Sequence, residues 1–532
     1  MFCAMFIRTK VLQNKDGSVR TYLQIVEGVR VDGKVRQRVV CTLGRLDELQ
    51  AGQLDRLIEG LTRYSKKKWV LAQARTAKVG ARWSKEWGPA LIFRRLWEEL
   101  GFAEHLRHLL QETKVEFALE EAAFAMVLNR IVEPSSKRAT SQWVKGVYDP
   151  GFAQLELHHY YRALDFLAEH KEVIEDRWYG RILDLFHLEV DLVFWDTTST
   201  YFEGEGPEGL AEYGYPRNHR PDRKQIVIGV LMTRDGYPIA HEVFPGNIAD
   251  IATFRAILEQ VKNRFHLGRA VVVADRGMIS GALLQAMEQC GMEYIVGVRL
   301  RRFRKAEQVL SRPGAYAEVS PNLQVKEVWV DGTRYILCVN PEEAEHDRKA
   351  REGMVQELEE KLKGGVKALI RSRGYRRYLK VKGSEATIDW EEVEREARYD
   401  GKYILRTNTT LPPAEVALAY KSLWQVERAF GELKSHLGLR PVFHWTERRV
   451  RGHVLVCFLA LVLETVLRKK LEAIGSKARY ADLLCDLRQL HAVLVQVDGT
   501  TYLARTDLPG AAYDAFRALG MRPPLQVQIL SS

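Results

Sequence analysis

The rhythm of apolar and polar positions changes three times along the chain. Residues 6 to 43 alternate around two turn sequences, Lys15-Asp16-Gly17-Ser18 and Val31-Asp32-Gly33-Lys34, a period of two that predicts a three-stranded antiparallel unit. From about 49 to 188 the apolar positions fall at helical spacing, as in Leu54-Leu57-Leu61, Leu91-Leu96-Leu100, Phe117 to Val127 and Tyr161 to Leu167, which predicts a run of amphipathic helices. Within it, Glu133-Pro134-Ser135-Ser136-Lys137-Arg138 reads as a turn and a basic helix start, a pattern shared by helix-turn-helix elements and ordinary bundles.

At residue 190 the character turns to buried strand. Val190 to Asp196 is an apolar run ending in an acid, and Lys224 to Leu231 and Pro238 to Phe244 follow with Asp235-Gly236 as the hairpin turn. A helix over Thr253 to Phe265, a second buried strand from Arg269 to Asp275, a helix over Ser280 to Cys290 and a strand over Glu293 to Val298 complete the run. Residues 301 to 400 interrupt it with a hairpin (Val325 to Val330, Arg334 to Val339, turn Asp331-Gly332), a Glu/Lys-rich helix over 342 to 363 and the basic stretch Arg371 to Lys382. A strand at Tyr403-Ile404-Leu405 then leads into a helix over 414 to 437. The predicted organisation is a small β unit over 1–48 with basic strands suited to DNA contact and a helical DNA-binding or assembly region over 49–188. An α/β core follows over 189–300 and 401–470, interrupted by a β-rich insertion over 301–400, and the C-terminal region, 471–532, has dimerisation as its candidate role.

In the helix over 414 to 437, Tyr420, Glu427 and Lys434 are spaced seven apart. Seven residues make about two turns of an α-helix, so the three project as one polar line. Leu423, Val426, Phe430, Leu433 and Leu437 form an apolar stripe beside it. Alone, such a line is as well explained by a solvated face as by a site.

Charge and cysteine usage narrow the class. Of 532 residues, 80 are Lys or Arg and 69 Asp or Glu, a net charge of +11 that suits a polyanionic partner. The six cysteines are far apart, without a C-x-x-C pair, so neither a structural zinc site nor a disulfide framework is predicted, and a reducing cytoplasm fits. The strongest apolar run, Val454 to Leu463, is ten residues before Glu464 interrupts it, which predicts a buried helix and not a membrane span.

Three carboxylates then stand apart: Asp196 and Asp275 at predicted strand ends, and Glu427 on the late helix. The element order is that of a ribonuclease-H-like α/β fold, in which the first and fourth strands are neighbours and the two aspartates end side by side. Two acids so close need a counter-charge, and hard divalent cations with oxygen ligands supply it. Three carboxylates around two ions suit phosphoryl transfer.

On these residues the chain resembles the bacterial insertion-sequence transposases of the DDE class, in the group whose third acid lies in a Tyr-x2-Arg-x3-Glu-x6-Lys signature. Tyr420, Glu427 and Lys434 match it, and Leu423 stands where the family has arginine, with Arg428, Arg448 and Arg449 as candidate substitutes. Asp196-Thr197-Thr198, Asp275-Arg276-Gly277, Phe244-Pro245-Gly246-Asn247 and Asp250 resemble the surroundings of the family's aspartates. The resemblance implies cut-and-paste chemistry at terminal inverted repeats and target DNA, with Asp196, Asp275 and Glu427 holding two Mg²⁺ or Mn²⁺ ions. It further implies Tyr420, Lys434, Trp424, Arg448 and Arg449 on DNA, a homodimer in the DNA complex, and a cytoplasmic, nucleoid-associated protein without a membrane. A catalytically silent DNA-binding relative and a stand-alone metal-dependent nuclease are the alternatives. Trp424 has two readings, a base-stacking ring or a core residue.

Overall fold

The computed structural model describes residues 5–14, 18–31, 34–49, 57, 79–111, 113–186, 192–214, 220–248, 253, 264–265, 271–274, 281–289, 291–363, 376–382, 385–497 and 500–530. The predicted helices over Leu54 to Leu61 and Thr253 to Phe265 fall almost wholly outside them, as do Asp250 and Asp275. The chain divides into two units, one of Met1–Ser84, Val493–Arg505 and Leu525–Ser532, the other of Lys85–Ala492 and Thr506–Pro524.

The first unit opens with β1 (Met5–Gln13), β2 (Val19–Val31) and β3 (Lys34–Arg45), an antiparallel sheet in that order. Alternation along the strands places Arg8 opposite Gln24, and Arg8 donates to Gln24 (3.3 Å), which donates in turn to Thr42 (3.1 Å). A further strand, β4 (Val79–Glu86), closes the first stretch of the chain.

In the second unit the helical layer comprises α1 (Gly88–Glu99), α2 (Phe102–Gln111), α3 (Leu119–Val132), α4 (Lys137–Trp143), α5 (Leu157–Glu169) and α6 (Lys171–Phe186). The Pro134-Ser135-Ser136 turn acts as a helix start: Ser136 Oγ accepts the Ala139 N–H at 3.2 Å and caps α4. In helix α3 every residue from Leu119 to Val132 except Glu121 is buried, the polar Glu120, Asn129 and Arg130 included, as expected of a helix with neighbours on all sides.

The sheet beside this layer has nine strands. Its first members in chain order are β5 (Leu192–Tyr201), β6 (Gln225–Thr233), β7 (Pro238–Pro245), β8 (Val271–Ala274) and β9 (Glu293–Val298), with α7 (Gly281–Gln289) between the last two. After them come α8 (Ala306–Ser311), β10 (Ala317–Ser320), β11 (Leu323–Val330), β12 (Thr333–Val339), α9 (Pro341–Lys363), β13 (Leu379–Lys382), β14 (Glu385–Ile388), α10 (Trp390–Ala397) and β15 (Lys402–Thr407). The spatial order is β10-β11-β12-β15-β9-β8-β5-β6-β7. Strands β5, β8 and β9 are parallel and β5-β6-β7 is an antiparallel meander, so the first and fourth strands of this run are neighbours, the order of a ribonuclease-H-like sheet. The hairpin read at 325–339 is present, but β10 to β12 continue this same sheet through β15, which pairs with β9.

Two apolar layers cover the sheet. Phe194, Ile226, Ile228, Val230, Val271 and Val273 face the helical layer, while Val193, Trp195, Val227, Leu231 and Val272 face Leu284 and Met287 of α7. On the first face lie α11 (Pro413–Lys421), α12 (Trp424–Gly431) and α13 (Glu447–Ala473). Helix α13 is longer than its apolar run suggested, and 89% of its most apolar window is buried within the fold. It packs on α1, α3, α5 and β7. A Cβ at Gly452 would lie 2.2 Å from the Leu164 carbonyl oxygen, so this glycine sets how closely α13 approaches α5. Gly452→Val is expected to lower thermal stability by about 3 kcal/mol, as overpacking does; an unchanged melting temperature by circular dichroism would show that the helices do not meet there.

The chain ends with α14 (Tyr480–Gln489), β16 (His491–Val497), β17 (Thr500–Arg505), α15 (Ala512–Ala518) and β18 (Val527–Ile529). The late strands form a four-stranded sheet with β4, in the order β18-β17-β16-β4.

Candidate active site

Asp196 does not end its strand: β5 continues to Tyr201, paired with β6, and Asp196 lies opposite Val230. Pairing with β8 is narrower, from Leu192 opposite Val271 to Phe194 opposite Val273. Asp196 therefore stands just beyond the parallel pairing, where a strand leaves its neighbour. Alternation puts it on the face of Phe194 and Val230, the face covered by α12. Its carboxylate is half-buried and accepts the Thr197 N–H at 2.7 Å. Asp275 falls outside the described residues; Ala274 is the last described residue of β8.

The late helix is not one uniform helix. Helix α11 ends at Lys421, and the bonds Gln425 N–H to Ser422 O (3.1 Å) and Val426 N–H to Leu423 O (3.0 Å) form a tightened turn before α12 continues. Ser422 Oγ donates to the Leu418 carbonyl at 3.0 Å, a back-bond that competes with regular winding. Further on, Glu432–His436 is a wide π turn closed by Leu437 N–H to Glu432 O at 2.9 Å. The single helix read over 414 to 437 is thus corrected to two helices and a π turn. Each residue of a tightened turn advances by about 120° instead of about 100°, so the seven-residue line of Tyr420, Glu427 and Lys434 does not follow from sequence spacing.

A cleft of about 460 Å³ nevertheless takes Tyr420, Leu423, Trp424 and Glu427 on one wall and Gly297, Val298, Tyr403 and Ile404 of β9 and β15 on the other. The half-buried Tyr420 ring lies against Tyr403, with centroids 5.9 Å apart. Glu427 is exposed, and no described cation pairs with it. Lys434 is half-buried in the π turn and does not line this cleft; neither does Asp196. Helix α12 is fixed from the other side by the β6–β7 hairpin. Gln425 Nε2 donates to Arg234 O at 3.0 Å, and Gly236, at φ 80°, leaves room for the Gln425 amide where a Cβ would lie 1.9 Å from its oxygen.

The remaining candidates separate. Trp424 is 53% exposed, which removes the core reading. Leu423, at the family's arginine position, is 6% exposed and packs in the core. Arg428 is exposed and opens instead on a second cleft of about 350 Å³, together with Trp424, Arg234, Glu432, Glu464 and Arg468. Arg448 and Arg449 face α5: Arg448 pairs with Glu169, while Arg449 lies 3.5 Å from Asp165 and 4.9 Å from the Tyr161 ring centre.

The second cleft holds residues that sequence reasoning passed over. Arg468 bridges Glu464 (3.0 Å) and Glu432 (3.2 Å) and stacks 3.8 Å over Tyr480. Burial pushes the Glu464 carboxyl above its usual range against the pull of Arg468. The available signal was the single acid breaking the Val454 to Leu463 run. Among the described residues the one compact His/carboxylate group, Glu343, His346 and Asp347, is an exposed helical face of α9 and includes none of the site residues.

Comparison with known proteins bears on the same region. The model of the transposase DDE domain matches residues 187–463, just over half of the chain, and that of the IS1634 family transposase N-terminal domain matches residues 7–75. No significant match was found among curated proteins. Among solved structures, the Mos1 transposase paired-end complex with left transposon end aligns at 16% identity over 36% of this chain and 57% of its own, with a TM-score of 0.15. The Mos1 mariner paired-end complex with Mn aligns at 16% identity over 47% of this chain and 73% of its own, again with a TM-score of 0.15. The chain thus spans little more than half of the first of these, and scores so low carry no structural argument. The match to the DDE domain, over the stretch that holds the strand carrying Asp196 and the helix carrying Glu427, settles the family: the chain belongs to the DDE transposases of insertion sequences.

Proposed function

We propose that this chain is a DNA transposase that binds the inverted-repeat ends of its element, hydrolyses the phosphodiester at each end and joins the freed 3′-OH to target DNA, with Asp196, Asp275 and Glu427 as its catalytic carboxylates. The observation that carries the reading is the register of β5 and β8. The two strands pair in parallel up to Phe194 and Val273, each two positions before its aspartate in the sequence. Glu427 comes from the helix lying on the Asp196 face of the sheet.

The donor set fits a hard divalent cation: carboxylate oxygens only, with Asp196 half-exposed and Glu427 exposed without a described cation partner. Mg²⁺ or Mn²⁺ ions held there would polarise the scissile phosphate and stabilise the attacking and leaving oxygens. Tyr420, braced by Tyr403, offers a phenol of fixed position beside Glu427, and Lys434 offers a point charge; both suit phosphate contacts that orient DNA without reading bases. Trp424 presents an exposed indole at the same cleft. Arg448 and Arg449 serve the DNA backbone by exchanging their α5 carboxylate partners for phosphates. The β-rich segment over 301–400 acts as the family's insertion, and two copies of the chain hold the two ends.

The test is cleavage of a linear duplex carrying the element's ends by the full-length protein, with Mg²⁺ and with EDTA. The expected result is binding in both and cutting at the ends only with Mg²⁺. Cutting in EDTA would remove the metal-dependent reading, and binding without cutting under either condition would make the chain a silent DNA-binding relative.

A further inference from the structure

The corner where α3 turns into α4 beside α13 buries positive charge without a carboxylate. Arg130, near the end of α3, is 5% exposed, and Lys137, the first residue of α4, is 3% exposed. The Arg130 guanidinium donates to Gly438 O at 3.0 Å and to Ser135 O, while its Nε–H meets no acceptor among the described residues. The Lys137 ammonium has no hydrogen-bond partner at all among them. From α13 come His453 and the fully buried Cys457, whose Sγ lies 4.0 Å from His453 Nε2 and 3.9 Å from Leu437 O. The His444 ring stands beside His453, with centres 5.3 Å apart.

These groups act on one another as a single cluster. Burial, reinforced by Arg130 and Lys137, holds the His444 and His453 rings below their usual values, His444 at about 4. Burial also raises the Cys457 thiol, although both cations pull it down. Rings and thiol are therefore neutral near pH 7. The charges that act on Arg130 and Lys137 come from each other and from Cys457, and no described carboxylate is among them. Buried charges in folded proteins are paired or hydrogen-bonded, because an unmet one costs more than a fold tolerates. Two carbonyl oxygens meet the charge of Arg130 in part; no described residue meets that of Lys137. Loss of the Lys137 proton would remove the charge, but it would leave the buried nitrogen just as unpartnered.

We infer that Lys137 Nζ and Arg130 Nε hold a small monovalent inorganic anion, chloride under ordinary solution conditions, as a resident part of the fold. One negative charge matches the one ammonium that the chain leaves unmet, and a spherical ion accepts donors from any direction. A phosphate brings more charge and more acceptor oxygens than two donor groups can satisfy. At 3% exposure Lys137 is also out of reach of the DNA backbone. Because Arg130 also holds Gly438, the ion ties α3 and α4 to the segment that leaves the π turn. Binding only to the folded chain, it stabilises that fold by mass action.

The experiment follows thermal unfolding of the full-length protein at constant ionic strength while chloride replaces gluconate. The wild-type midpoint is expected to climb by about 1 to 2 °C for each tenfold rise in chloride above half-saturation. Lys137→Met, which keeps the apolar stem and removes the donor, should lose that climb, and Lys145→Met, at an exposed lysine nearby, should keep it. Wild-type crystals grown in bromide should show an anomalous peak within hydrogen-bond distance of Lys137 Nζ, a measurement that stands even where Lys137→Met does not fold. A wild-type midpoint indifferent to chloride, a climb shared equally by Lys137→Met, or no bromide peak at Lys137 would each overturn the site. A midpoint that rises with inorganic phosphate and not with chloride would overturn the halide. No DNA enters the test, so its failure leaves the transposase reading where it stands.

Discussion

Glu427→Gln is expected to lower end cleavage by about 10³-fold or more while leaving the fold and DNA binding intact. The side chain is exposed and no described cation holds it, so the exchange of one oxygen for an amide removes no packing and should shift stability by less than about 0.5 kcal/mol. What it removes is the charge of one of the three proposed metal-binding carboxylates. Losing a ligand oxygen from a divalent cation at the scissile phosphate costs on the order of 4 kcal/mol of transition-state stabilisation, and each 1.36 kcal/mol is about tenfold in rate. Asp196→Asn and Asp275→Asn should lose as much. Asp196 is half-buried and accepts the Thr197 N–H, so its melting temperature must be measured beside its activity. Cleavage by Glu427→Gln within tenfold of wild type would show that the third carboxylate is elsewhere.

The largest expected effect on stability lies behind the sheet, at Glu175 of α6. This carboxylate is fully buried, 3.2 Å from Lys171 Nζ, 2.7 Å from His241 Nδ1 and 3.0 Å from an Arg264 nitrogen, and it accepts the His241 backbone N–H at 2.9 Å. Burial works against its charge most strongly, but Lys171, His241 and Arg264 together outweigh that and hold the carboxyl down at about 2. Removing one member of such a group leaves buried charges without a partner and costs about 3 to 5 kcal/mol. Glu175→Gln should therefore lower the unfolding midpoint sharply at neutral pH. A carboxyl whose folded value lies below its ordinary 4.5 contributes fully above that value and loses its contribution as pH falls from there towards 2. Burial also keeps the His241 ring below its usual value, so protonation of the unfolded chain adds to acid destabilisation below about 6.5. The gap between wild type and Glu175→Gln should narrow from pH 6 to pH 3 in denaturant titrations, and a gap that stays constant would mean that the charge of Glu175 contributes nothing.

Local pattern carried much of this protein into view. Strand β9 coincides with the predicted Glu293 to Val298, and β11 and β12 contain the predicted hairpin, because a buried run bounded by turn residues is decided within a few residues of itself. The neighbourhood of β5 and β8 was legible through element order. Hidden were the features fixed by distant partners. The tightened turn at Ser422 depends on one hydroxyl back-bond, and the burial of Leu423 and exposure of Trp424 depend on which side of α12 meets β5. The carboxylates that occupy Arg448 and Arg449 come from α5, nearly 300 positions earlier. No window of sequence contains both halves of such a pair.

The place of α13 in the chain has a consequence for synthesis. Helix α3 is finished at Val132, yet the helix that covers it ends only at Ala473. At roughly 5 to 20 residues per second, α3 waits on the order of half a minute for its cover, with the apolar run Ala122 to Leu128 uncovered on that side. Residues 85 to 186 cannot mature on the ribosome as a separate body, and a message cut short before α13 yields a sticky fragment for the proteases. The centre of the helical layer is completed more than 300 residues after α3, so only chains translated through Ala473 close it.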